Sequence, residues 1–193
     1  MSKEYWNSLY DKDEIGWDIG FPSPAIKGYV DQLTNKDNAI LMPGCGNAYE
    51  AEYLLAQGFT DVTLIDIAPS LTAALDKKFR NEIGNRIKIV TGDFFEHTGM
   101  YNHILEQTFL SALDPSVRPI YVDKMHSLLK KDGHLTGVLF GKVFEEDGPP
   151  YGGTLQEYKQ MFSKKFRIKK LEPCYNSIER RKGAEVFINM IAK

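Results

Sequence analysis

Residues 40–66, ILMPGCGNAYEAEYLLAQGFTDVTLID, constrain the fold more than any other stretch of the chain. Ile40, Leu41 and Met42 form a short apolar run that suits a buried parallel strand, and Gly44-Cys45-Gly46 follows at once. Glycines there let the backbone reach φ > 0 and let a ligand approach the main chain without meeting a Cβ. Residues 47–57 read as a helix, with Tyr49, Tyr53, Leu54 and Ala56 to one side and Glu50 and Glu52 on another, and Gly58 stops it. Val62, Leu64, Ile65 and Ile67 make a second strand. Its Asp66 lies 22 residues after Gly44, near the offset at which an acid takes ribose hydroxyls. A GxG turn followed by a strand-end Asp that caps the next helix would give part of this string. Strand, glycine loop, helix, strand and terminal Asp in register specify a nucleotide-binding unit.

A dinucleotide fingerprint wants a third glycine where this chain has Tyr49, because that glycine lets helix and strand pack closely over a pyrophosphate. Tyr49 therefore argues against NAD and for a ligand without a pyrophosphate, of which S-adenosylmethionine is the commonest guest of this unit. Two other classes stay open on the residues alone. One is a nicotinamide- or nucleotide-dependent enzyme on the same fold, and the other is a cofactor-binding protein that does no chemistry.

With 193 residues, 42% of them hydrophobic, the chain fits one globular domain spanning residues 1–193. Lys plus Arg number 24 against 26 Asp plus Glu, so the net charge of −2 provides no basic field for nucleic acid. Cys45 and Cys174 make neither a disulfide framework nor a zinc-ligand spacing, and the four histidines add no metal pattern. Nowhere do about 18 apolar residues run together. The expectation is a soluble, cytoplasmic monomer that acts on a small molecule, without metal or membrane.

The remaining segments supply the rest of a sheet and its loops. Residues 1–35 hold an aromatic lead-in with Tyr5, Trp6, Tyr10, Trp17 and Phe21, read as a lid. Ring faces attract a sulfonium as they attract ammonium groups, although the same rings could simply close the core. Ser23-Pro24 opens a helix over residues 24–33, the serine placed to cap it. A helix over 69–82 follows, then a strand over 87–90 that ends in Gly92-Asp93-Phe94-Phe95. Asp93 and Phe94 could hydrogen-bond and pack on adenine; His97, in the next loop, reads as exposed. The strand over 101–106 ends in Glu106-Gln107-Thr108-Phe109, where ligands of open α/β sheets lie. A helix from Asp114-Pro115 to about Lys131 carries Arg118 in its first turn and Lys130 and Lys131 at its end. Asp132-Gly133 reads as a turn and 134–140 as a buried strand. The Gly- and Pro-rich loop over 141–153 is a place for specificity. Thr154 and Glu157 form a capping box, and strands over 166–172 and 185–191 bring an antiparallel edge.

With LMPGCG, GDFF, EQTF, LLKKDGHL, DGPPY and ERRKG in order, almost the whole chain resembles the thiopurine S-methyltransferase family of class I methyltransferases. It is most similar to the family's halide/thiol branch. The resemblance implies a Rossmann-like α/β fold, a seven-stranded, mostly parallel sheet flanked by helices with one antiparallel strand near the edge. It implies S-adenosylmethionine as methyl donor and a thiol, thiopurine, halide or thiocyanate as acceptor. Trp6, Tyr10 and Trp17 fall where the family's N-terminal aromatics cover the methionine part, Tyr10 replacing a ring more often Trp. Gly44 and Gly46 match the loop, Asp66 with Ile67 the ribose site, and Asp93 with Phe94 the adenine site. Glu106 falls beside the cofactor. Plant halide enzymes tend to read DYTF where this chain reads EQTF, so Gln107 replaces a Tyr at the transfer site and weighs against halide. Arg118 and Arg180 resemble arginines near the acceptor, and Tyr151 a residue of its pocket. Transfer from a sulfonium needs alignment more than a base, and the two arginines could hold an anion or lower a thiol's pKa.

Overall fold

A computed structural model describes residues 2–145 and 147–193. The expected β1 (Ile40–Pro43), α3 (Tyr49–Ala56) and β2 (Val62–Asp66) are present, preceded by α1 (Lys3–Asp11) and α2 (Pro24–Val30). Then come α4 (Pro69–Lys78), β3 (Ile87–Thr91), β4 (Tyr101–Gln107), α5 (Arg118–Ser127) and β5 (Leu129–Phe140). The chain continues through α6 (Leu155–Phe162), β6 (Phe166–Pro173) and β7 (Glu185–Ala192).

The strands form one sheet in the order β3-β2-β1-β4-β5-β7-β6. Strands β1 to β5 pair in parallel, while β7 is antiparallel to both β5 and β6. A single reversed strand thus lies next to the edge, as expected. Every residue of β1 and β2 is buried, because helices cover both faces of this part of the sheet. One apolar layer joins Ile40, Met42 and Leu64 of the sheet to Leu54 of α3 and Leu71 of α4. The other joins Leu41, Ile104 and Leu135 to Tyr121 of α5 and Phe162 of α6. Strand order reverses between β1 and β4, and in such sheets the crevice outside that point takes the ligand.

Several local expectations are corrected. The buried face of α3 is Glu50, Ala51, Leu54 and Leu55, not the Tyr49/Tyr53 face. Glu50 is tolerated there because its carboxylate accepts from the Ser23 N–H at 2.8 Å, and burial raises its pKa. Ser23 precedes α2 without the expected side-chain cap. Helix α4 ends at Lys78, where Phe79 turns into the core, and α5 ends at Ser127. Lys130 and Lys131 belong to β5, with Asp132 at φ +59°, so Asp132-Gly133 makes an irregularity within the strand rather than a turn before it. His97 is buried, its Nε2 2.8 Å from the Tyr101 hydroxyl. The capping box at Thr154 is present with both of its hydrogen bonds. Among the described residues, no helix is long and apolar enough to cross a membrane.

Candidate active site

The carboxyl ends of β1 to β5 open onto a cleft of about 630 Å³. Strand ends place Gly44, Asp66, Gly92, Gln107 and Phe140 along its floor. Gly44 and Gly46 sit at φ +56° and +52°, the left-handed region that a side chain disfavours. A Cβ on Gly44 would overlap the ring of Phe109. Asp66 is nearly inaccessible, and its carboxylate accepts from the Ala68 N–H at 3.1 Å and the Gly46 N–H at 3.4 Å. Burial raises its pKa, and those two N–H groups pull the other way. Asp93 caps a short 3-10 turn by accepting from the Phe95 N–H at 2.8 Å, and Phe94 packs edge-on against Phe109.

The lead-in forms the roof. Trp17 meets Trp6 and Tyr10 edge-on at centroid distances of 5.5 and 5.7 Å. The segment is tied at three places. The Asn7 side-chain amide oxygen accepts from both the N–H and the hydroxyl of Ser70. The Asp18 carboxylate accepts from the Asn47 amide and, at 3.3 Å, from the Tyr49 hydroxyl. The third tie comes from the 3-10 turn Glu179–Arg181, where Arg180 donates to the Asp18 carbonyl and Arg181 to the Trp17 carbonyl. Tyr49, which occupies the position of the missing third glycine, thus anchors the roof.

Trp6, Tyr10, Trp17, Gly44, Asp66, Ile67, Asp93, Phe94, Gln107 and Arg180 all line this cleft. Gly46 stands just behind it, pointing its N–H at Asp66. Three further expected site residues do not line it. The Glu106 carboxylate points into the core, where it accepts from the Tyr121 hydroxyl at 2.5 Å and the Leu110 N–H at 3.3 Å; successive side chains of a strand face opposite ways, so Gln107 takes the cleft side. Arg118 donates to the Gly152 carbonyl at 2.7 Å, and the Tyr151 N–H donates to the Ser111 carbonyl at 2.7 Å. The Arg118 side chain and the Tyr151 backbone thus both tie down the loop before α6. Burial raises the Glu106 pKa to about 7.

Ser111, Leu113, Phe140, Phe144 and Arg181 also line it without having been expected there. Phe140 is legible afterwards as the carboxyl end of β5. Ser111 and Leu113 are not, because a 3-10 turn over Phe109–Ala112 presents them and carries no periodic signal. Arg181 is buried against Glu185, with an N–O distance of 3.2 Å.

Fold and site together define a Rossmann-like class I methyltransferase, a parallel sheet whose glycine loop and second-strand acid open on one cleft. The sequence model of the family described as thiopurine S-methyltransferase matches residues 1–190, and the chain belongs to that family. It is an S-adenosylmethionine-dependent methyltransferase. The chain is 29% identical to a probable thiol methyltransferase 2 of Arabidopsis thaliana, over 81% of this chain and 70% of that protein. It is 26% identical to thiocyanate methyltransferase 1 of the same plant, over 93% and 81%. Among solved structures, the 1,6-didemethyltoxoflavin-N1-methyltransferase of Burkholderia thailandensis superposes with a TM-score of 0.78. It shares 18% identity and covers 99% of this chain and 87% of that one.

Proposed function

We propose that the cleft carries out methyl transfer to a small, soft sulfur nucleophile, a thiol first and a halide or thiocyanate second. The lining carries the reading. Among the described residues it contains no histidine, and its carboxylates are Asp66 and Asp93, both at the β2 and β3 ends. The rest of the lining offers Gln107, Ser111, Leu113, Phe140, Phe144, Pro149, Pro150 and the cations Lys142, Arg180 and Arg181. A wall of this kind suits an acceptor that needs no strong base, and a thiol of ordinary pKa about 8.5 is already partly thiolate near neutral pH.

The residues present fit the cofactor. The cleft volume falls within the roughly 300–1,000 Å³ usual for small-ligand sites. Gly44 exposes bare backbone, Asp66 holds a buried carboxylate for ribose hydroxyls with Ile67 beside it, and Asp93 and Phe94 offer an acceptor and a ring to adenine. Trp6, Tyr10 and Trp17 supply ring faces for a cation, worth about 0.5–2 kcal/mol. Bound S-adenosylmethionine supplies an electrophilic methyl on a sulfonium. The chain's own part is to align the acceptor and exclude water. Burial pushes the Cys45 thiol well up, which disfavours its thiolate.

In this reading the protein acts as one domain and a monomer, in the cytoplasm, on a dissolved small molecule and not on nucleic acid. Its unpaired Cys45 and Cys174 and its net charge of −2 support that reading. Residues 1–23 act as a lid. Amide exchange then shows them less protected without S-adenosylhomocysteine than with it; equal protection in both states makes the aromatics plain packing.

S-adenosylhomocysteine should raise the Tm while NADH leaves it unchanged, since a ligand at a hundredfold excess over Kd stabilises by about 2.7 kcal/mol. The same preparation, given S-adenosylmethionine with thiols, thiopurines, iodide and thiocyanate, should turn over a thiol fastest. Binding without turnover of any of them would leave a cofactor-binding protein. Asp66→Ala should weaken S-adenosylhomocysteine by about 1.5–3 kcal/mol in calorimetry, the scale of hydrogen bonds to a charged group. An unchanged Kd would reduce Asp66 to a cap for Gly46 and Ala68.

A further inference from the structure

Residues 12–23, between α1 and α2, form neither helix nor strand, so Trp17 is placed by its contacts and not by an element of its own. Its neighbour Asp18 is held from three sides, by Asn47, Tyr49 and Arg180. The Trp17 carbonyl, among the described residues, accepts from Arg181 alone, at 2.5 Å. Arg181 is itself fixed. It is only 8% exposed, its Nη1 lies 3.2 Å from Oε1 of the similarly buried Glu185, and its guanidinium stands 5.4 Å from the centre of the Phe140 ring. The Ala184 N–H donates to the Arg181 carbonyl at 2.9 Å and the Gly141 N–H to the Ala184 carbonyl at 2.7 Å, which seats the Glu179–Arg181 turn at the carboxyl end of β5.

A buried ion pair adds little net stability, because taking two charges out of water costs about what their attraction returns. Stability alone is therefore a poor account of Arg181 and Glu185. A guanidinium is a rigid fork whose donors point in fixed directions. With Nη1 held by Glu185, Nη2 is aimed at the Trp17 carbonyl. Arg181 and Trp17 both line the cleft, and the edge-on contacts of the Trp17 ring pass its position on to Trp6 and Tyr10. We propose that Arg181 is a positioning residue that orients Trp17, and through it the aromatic roof, over the cofactor. The role rests on the reading of these three rings as the cofactor's cover and adds the residue that sets them. Arg180 is the weaker candidate, since it is exposed and shares Asp18 with Asn47 and Tyr49.

The test is a double-mutant cycle between Arg181 and Trp17, read as the Kd of S-adenosylhomocysteine in calorimetry. Arg181→Met is made together with Glu185→Gln, so that no charge is left buried and alone. The pair should weaken binding by about tenfold, the scale of one hydrogen bond to a charged group, and leave the ligand-free Tm close to that of the wild type. On a Trp17→Ala background, which keeps the carbonyl and removes the ring, the same pair should cost nothing further. Arg181→Lys guards against misfolding of the pair. It keeps the charge beside Glu185 but replaces the fork with a point donor, and should weaken binding in the same direction, again only while the Trp17 ring is present. Trp6 and Trp17 are the only tryptophans, so the emission of the ligand-free protein reports the roof alone and should shift to longer wavelength in both variants. Wild-type affinity and emission in the folded variants, or losses that persist without the Trp17 ring, overturn the positioning role. If Trp17→Ala alone binds as tightly as the wild type, the reading of these rings as the cofactor's cover fails, and the role of Arg181 falls with it.

Discussion

Replacing Gly44 by alanine should destabilise the protein by about 2–4 kcal/mol and lower its affinity for S-adenosylhomocysteine by at least about a hundredfold. Two costs combine. A left-handed residue with a Cβ costs about 1–2 kcal/mol, and crowding a packed site adds roughly 1–3. The added methyl would overlap the Phe109 ring, so that ring has to leave its contact with Phe94 and reshape the cleft floor. Gly46→Ala provides the control. Its φ of +52° is similar, but its Cβ would meet only the Tyr10 hydroxyl at 3.6 Å, so it should show the conformational cost alone. Combining Gly44→Ala with Phe109→Ala should recover part of the lost binding, measured as a double-mutant cycle. If Gly44→Ala binds as tightly as Gly46→Ala, the clash is absorbed elsewhere and Phe109 is not a fixed wall.

The second large effect concerns Glu106. Its pKa is raised by burial to about 7, so between pH 4.5 and 7 the folded protein holds a proton that the unfolded chain has lost. The stability this group contributes is therefore complete below about pH 4.5 and disappears as the pH rises through 7. The shift corresponds to about 3 kcal/mol. Glu106→Gln keeps one oxygen for the Leu110 N–H and turns its amide N–H toward the Tyr121 hydroxyl oxygen, without an ionisable proton. Relative to the wild type it should gain about 3 kcal/mol between pH 4.5 and 8, on the order of 10 °C in Tm. The wild-type profile by itself would hide this. His103, pushed down to about 4 by burial and by His134, contributes stability that is lost on acidification from 6.5 through 4. The two slopes oppose each other, and the difference between variant and wild type isolates Glu106. A difference that does not change with pH would mean that Glu106 is not buried as described.

Much of the architecture could be read from the chain because it depends on local rules. A buried parallel strand must be apolar on both faces, and residues 40–42 are. A strand-to-helix turn that reaches φ near +55° needs glycine, and Gly44 and Gly46 supply it. The capping box at Thr154 is a four-residue signal, and it formed. The cleft lining from Gly44, Asp66, Asp93, Phe94 and Gln107 follows from the same source, since these residues end strands and parallel strands end on one side.

The tertiary structure decided what depends on partners far along the chain. Strand alternation put Gln107 in the cleft, but only Tyr121, fifteen residues later, explains why a carboxyl at Glu106 can be buried. Glu50 reads from the sequence as lying off the apolar side of its helix, and it is buried with the Ser23 N–H, 27 residues earlier, meeting its carboxylate. Arg118 and Tyr151 lie far apart in sequence, and only the tertiary structure shows that the Arg118 side chain and the Tyr151 backbone both tie the loop before α6, to Gly152 and Ser111. Arg180 and Arg181 reach back more than 160 residues to the Asp18 and Trp17 carbonyls to fix the roof. Periodicity and spacing fix which atoms a segment offers. Which of those atoms find a partner depends on how the rest of the chain uses up its hydrogen-bonding groups.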